Sequence, residues 1–402
     1  MAEEIVILGG ARTAMAEYVG TPGFGKFKDV SAMELGSRAI EGAIAKSGIA
    51  KDEIDHVVMG NASQSSRYSI YGARHSGLYA GLSHTVPALT VNRICGSGLQ
   101  SIVTGAQMLL LNEATCVASG GFESMSQSPH VIRGLREGVR FGPGTEVQDL
   151  LFDSLMDPFC NFFMAQTAEN LAKEYGITRE AQDEFAYRSH AEGAKAVKAG
   201  KFAAEIVPVK VKRGKDEISV DQDDHIKPET TIEGLSKLRA AFGKEGTVTA
   251  GNASGIVDGA AAVIVTTAAR AKASGRKPLA YVRSWAISGV EPRIMGIGPV
   301  PSIREACKKA NLRIDQLDLI EINEAFSAQY LACEKALELD RSKVNVNGGA
   351  IALGHPLGAT GTRLVLTLVR ELNERGKRWG AASACIGGGQ GIAVVVENTN
   401  AK

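Results

Sequence analysis

A cysteine between a short apolar strand and a long helix has the clearest capacity for chemistry in this sequence. The strand is predicted over residues 88–91 and the helix from Leu99, so Cys95 lies in a tight turn beside Gly96 and Gly98. The unpaired N–H groups at a helix start favour a thiolate, which predicts a lowered pKa for this thiol. The same N–H groups could hold an oxyanion, so the turn suits a nucleophile that accepts an acyl group. A buried structural cysteine beside flexible glycines is the alternative.

Two glycine-rich turns in the second half of the chain carry further reactive side chains. His355 lies among glycines, ahead of a helix predicted over residues 363–374. Cys385 ends an apolar stretch and precedes the run Gly387-Gly388-Gly389, where bare N–H groups again face a thiol. Two cysteines and a histidine in such turns indicate a catalytic group. The alternatives are a structural histidine, a disulfide between Cys95 and Cys385, and a dinucleotide-phosphate loop, although the glycine spacing at His355 is not GxGxxG.

Composition excludes several classes of function. The 402 residues are enough for two or three domains with substantial cores. Lys+Arg 45 against Asp+Glu 44 gives no general electrostatic reason to expect binding to nucleic acid or an anionic membrane. No apolar run reaches about 18 residues, and the acidic start lacks the features of a signal peptide. Six scattered cysteines without metal-type spacing predict reduced thiols in a cytoplasmic protein and no metal site.

Near-continuous apolar strands alternate with helices, which predicts an α/β protein with a parallel or mixed sheet. The first helix is predicted over residues 31–48, with Ser31 as its N-cap and Gly48 as its stop. After about residue 277 the pattern of the first half recurs, and residues 316–325 repeat the pattern of residues 53–62. A repeat of this length predicts two similar halves related by a pseudo-twofold axis.

Changes in amino-acid composition along the chain predict three regions. Residues 1–121, continued by 245–272, form an N-terminal half, and residues 273–402 form a C-terminal half. Residues 122–244 are richer in Gly, Pro and Lys and are predicted to form an inserted lobe. Where the N-terminal half resumes, a helix of small residues is predicted before an apolar strand over residues 261–265.

Five motifs in order make the sequence resemble the thiolase family over residues 5–397. Each motif is a modest signal alone, but their order and thiolase-like separations are highly specific. The resemblance implies duplicated βαβ halves that form a layered αβαβα core, with an inserted loop and helical lobe. The motifs are Asn92-Arg93-Ile94-Cys95-Gly96-Ser97-Gly98, Gly120-Gly121-Phe122-Glu123-Ser124-Met125-Ser126, Asn323-Glu324-Ala325-Phe326, Gly348-Gly349-Ala350 through Gly354-His355-Pro356-Leu357-Gly358-Ala359-Thr360-Gly361, and Cys385-Ile386-Gly387-Gly388-Gly389-Gln390-Gly391.

The resemblance implies an acyl exchange between thioesters in two steps. Cys95 would carry the acyl group, and His355, expected to titrate near neutrality, would take the thiol proton and help to hold an oxyanion. Cys385 would move the α-proton, because a thiol pKa of about 8.5 leaves it basic and partly ionised. One oxyanion hole would consist of His355 and a water held by Asn323. The second would consist of the N–H groups of Cys95 and Gly387.

The resemblance also implies a binding site for coenzyme A, which is substrate and product rather than cofactor; no metal or redox cofactor is expected. The implied CoA contacts are Leu155, Met164, Lys227, Ala250, Ser254 and Phe326, while Met295 would line the acyl end of the pocket. Cations of the inserted lobe would neutralise the CoA phosphates, unless they only form a solvated surface. These cations are Lys210, Lys212, Arg213, Lys227, Lys237, Arg239 and Lys244.

The activity expected from this resemblance is that of an acetyl-CoA C-acetyltransferase, which joins two acetyl-CoA or cleaves acetoacetyl-CoA. A broader 3-ketoacyl-CoA thiolase of fatty-acid degradation is the alternative, because Phe163 stands where many acetoacetyl-CoA thiolases have histidine. A ketosynthase usually has two catalytic histidines where this chain has Asn323 and Cys385. A noncatalytic acyl-CoA-binding relative is a remote further alternative. The family likeness also implies a homodimer or homotetramer.

Overall fold

The computed structural model describes residues 3–139, 141–142, 144–243 and 245–401. The strands are β1 Ile5–Arg12, β2 Ala16–Glu17, β3 His56–Gly60, β4 Ala88–Val91, β5 Cys116–Glu123, β6 His130–Val131, β7 Gln148–Asp149, β8 Met156–Asp157, β9 Phe162–Phe163, β10 Val209–Arg213, β11 Asp216–Val220, β12 Val257–Thr267, β13 Ala280–Gly289, β14 Leu319–Ile322, β15 Trp379–Ile386 and β16 Gln390–Asn398. The helices are α1 Ala32–Ser47, α2 Gly72–Tyr79, α3 Ser97–Leu110, α4 Leu150–Ser154, α5 Met164–Tyr175, α6 Arg179–Lys198, α7 Ile232–Ser236, α8 Ala268–Ala273, α9 Pro299–Lys309, α10 Ser327–Leu337, α11 Ala350–Leu353 and α12 Leu357–Glu374.

The two halves of the central sheet have the same topology. Its strand order is β14-β15-β16-β13-β1-β12-β5-β3-β4, and β1 and β13 meet at its centre. In the N-terminal half β1 pairs antiparallel with β12, and β3 pairs in parallel with β4 and β5. In the C-terminal half β13 pairs antiparallel with β16, and β14 pairs in parallel with β15 and with Val344. This correspondence confirms the predicted duplication.

Hydrophobic packing arranges these elements in five layers. Because side chains alternate along a strand, β1 sends Val6 and Leu8 towards α1 and α2, and Ile5 and Ile7 towards α3 and α12. The helices α3 and α12 lie between the strands of the two halves and share one core with both. The helices α9 and α10 cover the opposite face of the C-terminal strands. The fold is therefore the predicted αβαβα arrangement.

The ends of α1 agree with the prediction from local sequence. The Ser31 hydroxyl accepts the N–H of Glu34 at 3.2 Å, while the Glu34 carboxylate accepts the N–H of Ser31 at 2.9 Å. Gly48 ends the helix in the left-handed region, with a φ of 66°. Because these contacts join residues only a few positions apart, the ends of this helix could be predicted accurately from the sequence.

Two predicted elements differ from the structure. The helix α12 begins at Leu357 instead of near residue 363, because its glycines are packing positions and not a loop. A Cβ on Gly361 would lie 2.3 Å from the backbone nitrogen of Leu99, and one on Gly358 would lie 2.5 Å from the carbonyl oxygen of Phe122. The predicted helix after Gly255 is also wrong, because its small residues form part of the long buried strand β12.

The region predicted as an inserted lobe packs against both halves of the core. The helices α5 and α6 join the hydrophobic core of α9 and α10, whereas the β10–β11 hairpin packs beside α1. The proposed limits of the three regions stay a prediction, and the limit at Lys244 lies outside the described residues. Within the described ranges, each helix is too short or too polar to cross a lipid bilayer.

Candidate active site

The turn that holds Cys95 has a strained backbone. The cysteine lies in a single 3-10 turn, Ile94–Gly96, immediately before α3. Ile94 has a φ of 48°, which is unusual for a β-branched residue, and its N–H donates to Asn92 Oδ1 at 2.9 Å. A Cβ on Gly96 would lie 2.6 Å from Cδ1 of Ile386, so glycine lets this turn approach the end of β15. The strained turn therefore fixes the cysteine against the C-terminal half.

The sulfur of Cys95 is enclosed and faces two backbone donors. Its own N–H and the N–H of Gly387 lie close enough to this sulfur to favour the thiolate. Burial nevertheless raises the pKa of Cys95 to about 11, and the negative charge of Glu123 acts in the same direction. The lowered pKa predicted from the helix start is therefore wrong. The thiol is neutral and needs a base.

His355 lies in the connection between α11 and α12, where its N–H donates to the carbonyl oxygen of Gly255 at 2.9 Å. Its Nδ1 is 2.6 Å from Thr360 Oγ1, and its Nε2 is 3.2 Å from Asn323 Nδ2. Burial and the nearby charge of Arg363 lower the pKa of His355 to about 3. The expectation of titration near neutrality is therefore wrong, and the imidazole is a neutral group that can accept a proton.

Asn323 and Cys385 lie at the ends of the neighbouring strands β14 and β15. The N–H of Asn323 donates to the carbonyl oxygen of Ser383 at 2.9 Å, and its buried Oδ1 has no hydrogen-bond partner among the described residues. Cys385 is fully buried and packs with Met295. Burial, with a further contribution from Cys95, raises the pKa of Cys385 well above its usual range. The predicted partial ionisation of this thiol is therefore wrong.

The turns of the two halves thus bring the predicted catalytic residues together. The N–H of Gly387 lies near the sulfur of Cys95, Cys95 influences the ionisation of Cys385, and Asn323 contacts His355. Both cysteines are free thiols, so no disulfide joins them. In the part of the chain that the structure describes, no three metal-ligating side chains are grouped to hold an ion. Their assigned roles stay predictions that this geometry permits.

Most of the predicted CoA contacts surround this group. Met164 and Phe326 pack against the cluster of Cys385 and Met295. The carbonyl oxygen of Leu155 accepts the N–H of Met164 at 2.8 Å. The turn paired with Phe326 carries two further predicted contacts, Ala250 and Ser254, and the N–H of Ser254 donates to the Ala325 carbonyl oxygen at 3.0 Å.

The predicted phosphate-binding cations are dispersed. Lys227 is exposed and follows His225, whose ring packs against Gly255 beside Ser254. The β10–β11 hairpin instead holds its cations beside α1, where a cleft of about 440 Å³ shares no residue with the reactive group. Lys237 pairs with Glu233, Arg239 is exposed, and Lys244 lies outside the described residues. The cations that line the separate cleft are Lys26, Lys28, Arg38, Lys210, Lys212 and Arg213.

A buried carboxylate near the reactive group had no predicted role. Glu123 accepts backbone N–H groups of Ala62 and Ser63 at 3.0 Å and of Gly358 at 2.9 Å, and the side-chain amide of Asn61 at 2.7 Å. It therefore links the strand ends of the N-terminal half to the start of α12, just after His355. Burial raises the pKa of Glu123 to about 7. The feature of the sequence that could have identified Glu123 is an acidic residue soon after an apolar strand and a Gly-Gly pair.

Comparison with known proteins agrees with this architecture. The family model for the N-terminal domain of thiolase matches residues 5–269, and that for the C-terminal domain matches residues 276–398. The chain is 47% identical to the mitochondrial 3-ketoacyl-CoA thiolase of Homo sapiens over 395 residues, which cover 98% of each chain. It is 45% identical to an acetyl-CoA acetyltransferase of Cupriavidus necator over 395 residues, covering 98% of this chain and 99% of the relative.

Solved structures give the same result. The crystal structure of human mitochondrial 3-ketoacyl-CoA thiolase matches with a TM-score of 0.96 and 47% identity, covering 99% of this chain and 100% of that one. The same human enzyme in complex with CoA matches with a TM-score of 0.95 and 47% identity, over 99% of this chain and 98% of that one. Matches of this identity over nearly the whole length show common descent as well as a common fold. The chain belongs to the thiolase family.

Proposed function

We propose that this thiolase catalyses the reversible Claisen condensation of two acetyl-CoA molecules to acetoacetyl-CoA and CoA. The observation that carries the proposal is the convergence of two free thiols, a neutral imidazole and an amide in one buried site. The relatives named acetyl-CoA acetyltransferase support this substrate, and the solved complex of a relative with CoA supports the thioester carrier.

The first half-reaction transfers an acetyl group to Cys95. His355 accepts the thiol proton, the sulfur attacks the thioester carbon, and the bond between that carbon and the CoA sulfur breaks. The oxyanion that forms meanwhile is stabilised by the N–H groups of Cys95 and Gly387. The departing CoA thiolate takes the proton of Cys385. The step therefore produces acetyl-Cys95, free CoA, a Cys385 thiolate and a protonated His355.

The second half-reaction forms the carbon–carbon bond. The Cys385 thiolate removes an α-proton from a second acetyl-CoA, and the enolate oxygen is stabilised by protonated His355 and a water at Asn323 Oδ1. The enolate carbon attacks the acetyl carbon, the bond to the Cys95 sulfur breaks, and His355 returns its proton to that sulfur. All three side chains then have the protonation states with which they began.

CoA is proposed to enter along the apolar residues beside Cys385. Met164 and Phe326 would contact the part of CoA nearest the thioester, with Leu155, Ala250 and Ser254 further along. Lys227 is the predicted phosphate contact that lies on the Ser254 side of the reactive group, and its exposed side chain is free to meet an anion. Met295, packed against Cys385, would close the acyl end of the pocket.

A broader 3-ketoacyl-CoA thiolase is the second candidate function, and one cluster favours it. The Phe163 ring lies 4.7 Å from the ring of Phe152 and 5.2 Å from that of Phe242. These rings adjoin Met164 and offer an apolar surface to a longer acyl chain. Relatives named 3-ketoacyl-CoA thiolase are as similar to this chain as those named acetyl-CoA acetyltransferase.

The chain is also proposed to form a homodimer or homotetramer. The edge strand β4 leaves Leu89 at 40% exposure, and Ile70 is exposed nearby at 65%. An unpaired edge with apolar side chains is a surface that a second copy can cover, and sedimentation velocity tests this. A cytoplasmic location, compatible with the free cysteines, is likewise a proposal; several relatives are named mitochondrial.

A panel of 3-ketoacyl-CoA substrates separates the two candidate functions. We expect kcat/KM for thiolysis to be highest with acetoacetyl-CoA and to fall about tenfold or more with six carbons and beyond, because Met295, packed against Cys385, closes the acyl end of the pocket. The variant Phe163→His should change kcat/KM for the longer substrates more than for acetoacetyl-CoA. If kcat/KM is equal or higher with the longer chains, the second candidate replaces the first. If no member of the panel is cleaved, both fail.

A further inference from the structure

A threonine behind the imidazole has a specific place in this chemistry. We propose that Thr360 is a positioning residue, which keeps the proton of neutral His355 on Nδ1 and leaves Nε2 free to accept the proton of Cys95. The observation is the 2.6 Å separation between Thr360 Oγ1 and His355 Nδ1, both buried. The inference rests on the proposed functions of Cys95 and His355, and it adds a residue that had no predicted role.

The direction of this hydrogen bond follows from the other contact of the hydroxyl. Thr360 Oγ1 lies 3.0 Å from the carbonyl oxygen of Pro356, four residues earlier, at the N-cap of α12. Threonine hydroxyls in helices donate to such carbonyls. Since a hydroxyl has one hydrogen, Oγ1 donates to Pro356 and accepts from His355. His355 Nδ1 must therefore carry the hydrogen.

The opposite side of the ring agrees with this assignment. Asn323 Nδ2 lies 3.2 Å from His355 Nε2 and donates to its lone pair. In this orientation Asn323 Oδ1 is the atom without a partner among the described residues, which leaves it available for a water. A neutral imidazole has one N–H, so a hydrogen on Nδ1 and a bare Nε2 belong to the same tautomer.

The hydroxyl also stabilises the ring after proton transfer. When the Cys95 proton moves to Nε2, the ring becomes a buried cation and the Nδ1–H bond to Thr360 becomes charge-assisted. Arg363 opposes this cation. Within the described residues the hydrogen-bond partners of the ring are Thr360 and Asn323, and neither is a carboxylate. Thr360 is thus the neutral acceptor that replaces an acidic partner at this histidine.

The test compares Thr360→Val, which removes the hydroxyl at similar volume, with Thr360→Ser, which keeps it. Acetylation of Cys95 by acetyl-CoA is followed in a single turnover by rapid quenching and intact-protein mass spectrometry. We expect the valine variant to be about 10- to 100-fold slower, as for loss of a hydrogen bond to a charged group, and the serine variant to stay within about threefold of the wild type. The half-saturating acetyl-CoA concentration should change by less than about twofold, because Thr360 acts on the base and not on CoA.

Thr367→Val is the matched control. Thr367 is also buried on α12, and its hydroxyl has no partner among the described residues, so this variant should acetylate at the wild-type rate. A wild-type rate in Thr360→Val, or a serine variant as slow as the valine variant, overturns the inference. If His355→Asn or Cys95→Ser is acetylated at the wild-type rate, the proposed function fails instead.

A second measurement determines the tautomer of His355 in the wild-type protein, so it does not depend on whether a Thr360 variant folds. In protein labelled with 15N-histidine, the His355 signals are assigned by their loss in His355→Asn. We expect a proton on Nδ1 and a bare Nε2 in the unliganded wild type near pH 7. A proton on Nε2 would overturn the inference.

Discussion

Burial controls the ionisation of the reactive residues more strongly than their positions at helix and strand ends. It raises the pKa of Cys95 to about 11 and lowers that of His355 to about 3, so both are neutral at physiological pH. The N–H donors at Cys95 offset this effect only in part. The Cys95 thiolate and the protonated His355 imidazole must therefore form together, by transfer of one proton, while substrate fills the site.

The buried imidazole makes stability depend on pH. The folded pKa of His355 of about 3 is below its ordinary value of 6.5, so the unfolded chain takes up the proton first as pH falls. The stability contributed by this group is therefore present above pH 6.5 and is lost as pH falls towards 3. Between pH 7 and pH 5 the free energy of unfolding should decrease by about 2 kcal/mol more in the wild type than in His355→Asn. Urea unfolding at both pH values measures the difference; equal decreases would contradict the neutral buried imidazole.

The sequence allowed the reactive residues to be predicted but not their supporting contacts. Cys95, His355 and Cys385 have local signals, because each follows or precedes glycines in a turn. Glu123 accepts a hydrogen bond from Gly358, which is 235 residues away, so no local pattern contains that contact. The pKa predictions failed for the same reason. They were based on the helix start, which is visible in the local sequence, whereas burial depends on how the two halves pack together.

At the scale of elements, glycines allow the two halves to approach each other. A Cβ on Gly121 of β5 would lie 1.8 Å from the carbonyl oxygen of Gly358, at the start of α12. Both backbones are buried, and neither can move without displacing the Glu123 contact or His355. The close contact between β5 and α12 therefore supports both the core and the geometry of the site.

Gly121→Ala should consequently lower the free energy of unfolding by about 3 kcal/mol or more, because the added methyl group must displace backbone. Gly289→Ala is the matched control: it also changes a strand glycine, but a Cβ there would meet nothing within 4 Å. That variant should stay within about 0.5 kcal/mol of the wild type. Urea unfolding compares the two, and similar losses would show that contact with α12 is not the cause.

The elements that were predicted well are those with local stop signals, such as α1 with its capping residues at both ends. The start of α12 was misplaced because glycine is ambiguous in a sequence. It marks turns, but it also marks close contact between packed elements, and here Gly358 and Gly361 do the latter. Only the position of α3 and β5 in the folded chain shows that these glycines mark a close contact and not a turn.

At the scale of the whole molecule, duplication explains why the site contains residues from distant parts of the chain. Corresponding strand ends of the two halves meet around α3 and α12, so the turn at Cys95 faces the turn at Cys385. The repeat could be predicted from the pattern of strand ends. The joining of the halves along β1 and β13 could not, because strand order is not encoded in local periodicity.

The central claim, that acyl groups are carried by Cys95 and the second thiol acts afterwards, is tested most directly by locating the acyl group. The wild type, Cys95→Ser and Cys385→Ala are each mixed with acetyl-CoA, quenched in acid and mapped by peptide mass spectrometry. We predict an acetyl group on Cys95 in the wild type and in Cys385→Ala, with condensation abolished in the latter, and no acetyl group in Cys95→Ser. An acetyl group on Cys385 in the wild type, or near-normal condensation by Cys385→Ala, would contradict the account.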